Sequence, residues 1–226
     1  MRWETLASAA LLLVITGCNH MPGTPKPGPE VPRPDTVTDF AALYGGNCAG
    51  CHGRDGQNGA AYDLANPIYQ AWVDDAALHK IIAGGESGTQ MPAFGQAAGG
   101  FLTDAQIDAL VHGMRSAWQK EGALSGQTPP YAGSAAGDAS HGQAAYQAAC
   151  ARCHEQGNGK VTDPNYLALV NDQTLRTIIV AGRPDVSHPN WQGDIAGRPL
   201  TDQEIADIVA WLGSLRVPAP GQPYAH

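Results

Sequence analysis

Two short runs contain the residues best able to do chemistry. CAGCH at 48–52 and CARCH at 150–154 each place two cysteine thiols and one imidazole within five residues. Three kinds of site use such a set. They are a haem bound covalently by both thiols with the histidine as iron ligand, a zinc site, and a redox-active dithiol.

The haem interpretation accounts for most of the pattern. A zinc site would need a fourth ligand, and neither copy has another cysteine. A thioredoxin-like dithiol would need a βαβ context, which the sequence does not predict. We therefore expect two haem c groups, each with thioether bonds and a proximal ligand from one motif: Cys48, Cys51 and His52 for the first, and Cys150, Cys153 and His154 for the second.

The N-terminus predicts export and a lipid anchor. Residues 5–17 form an apolar run that is shorter than the ~20 residues of a spanning helix and fits an export signal. ITGC at 15–18 resembles the lipobox of bacterial lipoproteins, in which the chain is cut before the cysteine and the cysteine is acylated. We expect Cys18 to anchor the chain to a bacterial membrane, with the haem domains in the periplasm or on the cell exterior. A secreted protein with a stray Cys18 is the alternative.

A proline-rich stretch follows Cys18. Residues 19–38 contain six prolines and no apolar periodicity. Such a stretch predicts an extended, polyproline-like tether that reaches up to ~60 Å.

The sequence repeats itself after residue 39. Tyr44 and the first motif return at Tyr146 and the second motif with an offset of 102, and LTD at 102–104 returns at 200–202 with an offset of 98. Between them, the dipeptide Ala83-Gly84 is paired with Ala181-Gly182. Two copies of one small domain follow from this. The predicted segments are a signal peptide (1–17), a lipidated cysteine with tether (18–38), domain 1 (39–120), a flexible linker (121–137), domain 2 (138–217) and a tail (218–226).

Both copies are predicted to be helical. Thr103 and Thr201 each begin a capping box, which is followed by apolar residues at the i, i+3, i+4, i+7 spacing of one buried helix face. These residues are Ile107, Leu110, Val111 and Met114 in the first copy, and Ile205, Ile208, Val209 and Leu212 in the second. Shorter helices are expected at 39–44, 74–82, 140–149 and 172–180. The fold class is all-α.

The charge balance narrows the choice of partners. Thirteen Lys and Arg against 21 Asp and Glu give a net charge of −8, which argues against a nucleic-acid binder. An acidic surface favours basic protein partners through electrostatic steering.

Residues 39–120 and 138–217 each resemble a small cytochrome c domain. The shared features are a helix ending in C-x-x-C-H, a loop with a proline, a distal ligand followed by a proline, and a C-terminal helix. The resemblance implies two tandem cytochrome c-like domains that exchange electrons. It also implies that a loop proline carbonyl, of Pro67 or Pro164, accepts the Nδ1–H of the proximal imidazole; a plain turn is the alternative for both prolines.

The first copy carries the usual sixth ligand of this family. GTQMPAFG at 88–95 resembles the methionine loop that returns over the haem, so Met91 is the expected second ligand of the first iron. Met114 is assigned to the helix core instead.

The second copy has no methionine of its own for this role. His188 precedes Pro189 as Met91 precedes Pro92, so we expect His154 and His188 to ligate the second iron. A surface His-Pro turn is the alternative, with His141 as the next candidate ligand. Imidazole favours Fe(III) more than a thioether does, so the second haem should have the lower potential.

The function implied is a membrane-anchored electron carrier with two haem c groups. Its partners would be redox proteins, such as a quinol-oxidising complex, a terminal oxidase or a photosynthetic reaction centre. The alternatives are a dihaem enzyme of the peroxidase or thiosulfate dehydrogenase type, which needs a haem that opens to substrate, and a structural subunit whose haems carry little flux.

Overall fold

The helices occur in the same order in both copies of the repeat. The computed structural model describes residues 28, 30–124, 126–133, 135–155, 161–193, 195 and 197–217. In these residues the α-helices are α1 (Phe40–Asn47), α2 (Ala49–His52), α3 (Pro67–Trp72), α4 (Asp75–Gly84), α5 (Asp104–Trp118), α6 (Ala139–Ala149), α7 (Ala151–His154), α8 (Pro164–Leu167), α9 (Asp172–Ala181) and α10 (Asp202–Ser214). The part of the chain so described contains isolated β-bridges but no strand, which confirms the all-α prediction.

Side-chain caps define where the helices begin. The Asp39 carboxylate accepts the Ala42 N–H, and Asp74 caps α4 in the same way. Thr103 and Thr201 begin the two long helices with complete capping boxes, as predicted, because each threonine satisfies an N-terminal amide that has no partner within the helix. The short helices α3 and α8, each with proline at its first turn, were not predicted.

Each copy packs its first helix against its last one. Gly142 of α6 lies so close to α10 that a Cβ atom there would meet the Asp207 carbonyl oxygen at 2.0 Å. In the first copy the Phe40 ring of α1 packs directly against Gly113 of α5, where a Cβ atom would lie 2.2 Å from the ring. Small residues at these positions let the two helices approach closely.

The predicted apolar stripes form the two cores. All eight stripe residues are buried, and Ile107, Ile205 and Ile208 have no exposed surface. Met114 is buried in the first core, as predicted. Ile68 and Trp72 of α3 pack against both cores, and Ala181 of α9 belongs to the first core. The two domains therefore share apolar contacts.

Part of the predicted flexible linker makes defined contacts. The Trp72 indole N–H donates to the Pro129 carbonyl at 2.6 Å, and the Tyr131 ring packs edge-on against the Trp72 ring. The side chains of Gln173 and Arg176 in α9 donate to the carbonyls of Tyr131 and Pro130. Side chains of both domains therefore hold this stretch.

The N-terminal segment through Thr36 forms a separate unit from the remainder of the chain. Its described residues include one 3-10 turn, Pro34–Thr36, so the predicted tether is not extended throughout. The predicted signal peptide 1–17, Cys18 and the tail 218–226 lie outside the described residues. Among the described helices none combines the length and the hydropathy needed to cross a membrane.

Replacing Gly142 with alanine should destabilise the second domain by about 1–3 kcal/mol, the usual cost of overpacking. The reason is the 2.0 Å approach of the new methyl group to the Asp207 carbonyl. Denaturant unfolding followed by circular dichroism measures this change.

Gly45→Ala is the matched control, because Gly45 is exposed on α1 with nothing within 4 Å of the added Cβ. It should be neutral or stabilise by up to about 1 kcal/mol. Equal effects of both substitutions would contradict the close helix crossing.

Candidate haem sites

The first motif lies at a helix junction. Helix α1 ends at Asn47, Cys48 bridges to α2, and His52 is the last residue of α2. Cys48 is half-buried, Cys51 is exposed, and both are free thiols. Burial, with a smaller contribution from Cys51, raises the pKa of the Cys48 thiol to about 11. Reactive dithiols have a lowered thiol pKa instead.

The His52 ring is oriented by a backbone carbonyl. Its Nδ1 donates to the carbonyl oxygen of Tyr62 at 2.8 Å, because a carbonyl can only accept. The proton is therefore on Nδ1, and the lone pair of Nε2 is available to a metal. Burial lowers the pKa of His52, which favours the neutral form that binds metals.

The prediction that the Pro67 carbonyl accepts the Nδ1–H of His52 is wrong. Pro67 is the first residue of α3, where Asn66 is the N-cap, so its carbonyl points along the helix and is used there. Pro164 likewise begins α8, and its carbonyl accepts the N–H groups of Ala168 and Val217. Proline is common in the first turn of a helix. This pattern, read from the sequence alone, could have ruled out Pro67 as the acceptor for His52.

The distal loop of the first domain folds back over the end of α4. Gly85 has φ +70° and ψ −176°, a conformation restricted to glycine. A Cβ atom there would lie 2.7 Å from the Pro92 carbonyl carbon and 2.9 Å from the Met91 carbonyl oxygen. The Met91 N–H donates to the Thr89 hydroxyl. Met91 itself is half-buried against the first core, as is Cys48.

The second domain repeats this geometry around Gly182. Gly182 has φ +73° and ψ −176°, and a Cβ there would lie 2.9 Å from the His188 carbonyl oxygen and 2.7 Å from that of Pro189. His188 follows Gly182 by six residues, as Met91 follows Gly85. The pairing of Ala83-Gly84 with Ala181-Gly182 was therefore one residue out of register.

His154 and His188 are brought together. Their ring centroids are 5.8 Å apart. Two imidazoles on opposite sides of one metal, each about 2 Å from it, have a similar separation. His188 Nδ1 donates to the Pro189 carbonyl at 2.7 Å, which leaves its Nε2 available, and burial lowers its pKa. His141, the alternative ligand, is exposed on α6 beside Asp138.

The surroundings fit an apolar macrocycle with polar ligands. Cys150 packs against the second core, which contains the buried Trp191, and Cys48 and Met91 border the first core. Each domain thus offers two thiols and a histidine beside apolar side chains. The role of Tyr62 was not predicted, because every residue has a backbone carbonyl and no sequence pattern marks the one that accepts from His52.

This combination defines the cytochrome c class: an all-α frame, a helix ending in C-x-x-C-H, and a distal loop that folds back over the end of a later helix. The model of the family described as cytochrome C oxidase, cbb3-type, subunit III matches residues 35–112 and 137–212. The matches cover more than half of the chain, so the chain belongs to this family. The prediction of tandem cytochrome c domains is confirmed, and such domains bind haem and transfer electrons. No match is found among curated proteins or among solved structures.

Replacing Gly85 with alanine should displace the Met91 loop. The new Cβ would meet the backbone of Pro92 and Ala93 at 2.7 Å, and the backbone conformation at this position costs a non-glycine residue about 1–3 kcal/mol. We expect lower stability in denaturant unfolding and a weaker Met–iron absorption band in the oxidised holoprotein.

Gly84→Ala is the control one residue earlier. It adds a methyl group with nothing within 4 Å, in a helical conformation. It should leave the band unchanged and stability equal or higher by up to about 1 kcal/mol. A similar band loss in both variants would contradict the proposed contact.

Proposed function

We propose that the chain is an exported dihaem cytochrome c that passes single electrons. One haem c is attached through Cys48 and Cys51, and the other through Cys150 and Cys153. His52 and Met91 would hold the iron of the first haem, and His154 and His188 would hold that of the second. The observation that carries this proposal is the shared geometry of the two distal loops around Gly85 and Gly182.

The protein groups orient the ligands and set their electronic character. Bound haem supplies one-electron exchange between Fe(II) and Fe(III). The Tyr62 and Pro189 carbonyls hold the two histidine rings with Nε2 free and increase the basicity of the imidazoles. A thioether stabilises Fe(II) and an imidazole favours Fe(III), so the two sites have different potentials.

Two ligands at each iron make the protein a carrier. If two side chains hold each iron, no position on the iron would be left for a substrate. Carbon monoxide tests this point, because it binds reduced haem only where a position is open. Strong binding to the native reduced protein would favour the enzyme of the peroxidase or thiosulfate dehydrogenase type instead.

We propose a membrane oxidase as the electron acceptor. The family name is that of an oxidase subunit, and this favours a terminal oxidase over a quinol-oxidising complex or a photosynthetic reaction centre. The net charge of −8 favours a basic docking face on the partner protein. Cys18, as a lipidated N-terminal residue, would hold the haem domains at the membrane surface.

Exchanging the distal ligands should move the two potentials in opposite directions. Met91→His should lower the first potential and His188→Met should raise the second, each by a few tenths of a volt within the range of about 0.8 V that axial ligands span. Spectroelectrochemical titration of the two variants measures both steps.

Met114→Leu is the matched control, because Met114 is a core residue with only 3% of its surface exposed. A volume-conserving swap there should leave both potentials unchanged. If Met91→His leaves the higher potential where it was, the ligand assignment is wrong.

Cys18→Ser should release the protein from the membrane. Serine cannot receive the acyl chains that give stable anchoring, so the haem protein should move to the soluble fraction and lose the mass of the acyl groups. Fractionation and mass spectrometry measure both, with His20→Gln as the control that should stay membrane-bound. Unchanged membrane association of the Cys18 variant would contradict the lipid anchor.

A further inference from the structure

The loop after the C-x-x-C-H motif differs in length between the two domains. Thirteen residues separate His52 from Asn66, the N-cap of α3, whereas eight separate His154 from Asp163, the N-cap of α8. The longer loop of the first domain contacts the distal loop of the second. The Asn58 N–H donates to Asp185, and the Arg183 guanidinium reaches the Gly59 carbonyl.

Tyr62 lies at the centre of this contact. Its backbone carbonyl accepts from His52 Nδ1 at 2.8 Å, and its own hydroxyl donates to the Gly182 carbonyl at 2.9 Å. Tyr62 is therefore bonded at one end to a proposed ligand of the first iron. At the other end it is bonded to the backbone of the loop that carries His188.

The loop continues the series of bonds to His188. Gly182 is followed by Arg183, whose N–H donates to the His188 carbonyl at 3.1 Å, while the His188 N–H returns to the Arg183 carbonyl at 2.9 Å. Covalent bonds and three short hydrogen bonds thus connect the imidazole of His52 with the residue that bears the second imidazole.

Further hydrogen bonds and burial hold Tyr62 in this contact. Asn66 is 1% exposed, and its amide donates to the Tyr62 hydroxyl and to the carbonyls of Ala181 and Gly182. Burial raises the pKa of the Tyr62 phenol, so the hydroxyl keeps its proton and remains a donor. The Arg183 guanidinium lies 6.0 Å from the centre of the Tyr62 ring.

We propose that Tyr62 couples the two haem sites, by joining His52 to the His188 loop through hydrogen bonds that serve as an electron-tunnelling route. The inference rests on the proposed function, since it needs both haems and their ligands. In the step, one electron leaves the iron of the His154/His188 site, which is oxidised to Fe(III). The iron of the His52/Met91 site is reduced to Fe(II), and no proton is transferred.

Tyr62→Phe tests the route in the full chain with both haems bound. A photoexcited ruthenium polypyridyl dye injects one electron, and absorption in the haem bands follows its passage between the two sites. The substitution keeps the ring but replaces a 2.9 Å hydrogen bond by a nonbonded gap of about 3.5–4.0 Å, so we expect the interdomain rate to fall by about tenfold. The midpoint potentials of both haems and the midpoint temperature of unfolding are measured for the same variant. Both potentials should stay unchanged.

Asn171→Ser is the matched control for loss of domain contacts. The Asn171 amide donates across the interface to Glu86 and Ser87, but Asn171 does not lie between His52 and His188. Serine keeps the N-cap of α9. The rate should equal that of the unmodified chain.

Replacement of Tyr62 by 4-aminophenylalanine restores a donor to the Gly182 carbonyl and should restore the rate. An unchanged rate in Tyr62→Phe, an equal loss in Asn171→Ser, or no recovery with the amino analogue would each overturn the route. A chain that carries one haem, or two haems of equal potential, would overturn the proposed function and the inference together.

Discussion

The hydrogen bond from His52 Nδ1 to the Tyr62 carbonyl is the interaction on which the first site depends. An imidazole can present a lone pair to a metal in a defined direction only if its other nitrogen is held. The acceptor comes from a loop that the C-x-x-C-H motif does not contain. The motif therefore supplies the imidazole that can bind a metal, and the loop orients that imidazole.

The same loop also joins the domains. It is longer in the first domain than in the second, and the contacts of Asn58, Gly59 and Tyr62 with the second domain lie within it. Shared apolar contacts at Ile68 and Trp72, and the bound linker at Pro129, add to this interface. The two copies therefore contribute different surfaces to the interface. The first contributes the loop after its C-x-x-C-H motif, and the second contributes its distal loop.

Local patterns were predicted well because they depend on neighbours in the sequence. The capping boxes at Thr103 and Thr201 and the buried helix stripes follow from i, i+3, i+4 geometry, which any chain with these residues obeys. The errors concern groups brought together by the path of a loop. The resemblance to cytochrome c domains implied a Pro67 carbonyl as the acceptor, but the structure places the Tyr62 carbonyl there, because residue type does not say where a carbonyl points. The register of Gly85 was missed because Gly84 and Gly85 are adjacent in the sequence, and the positive φ at both Gly85 and Gly182 is visible only in the structure.

The amino-acid sequence alone determined that this is an all-α chain with two C-x-x-C-H motifs, a methionine in one distal loop and a histidine in the other. Those properties reside in residue type and spacing, which carry the chemistry of thiol, thioether and imidazole. Tertiary structure alone decided that His154 and His188 lie with ring centroids 5.8 Å apart and that Tyr62 spans the two domains. Both depend on contacts between residues far apart in the chain, whose geometry results from packing the whole fold.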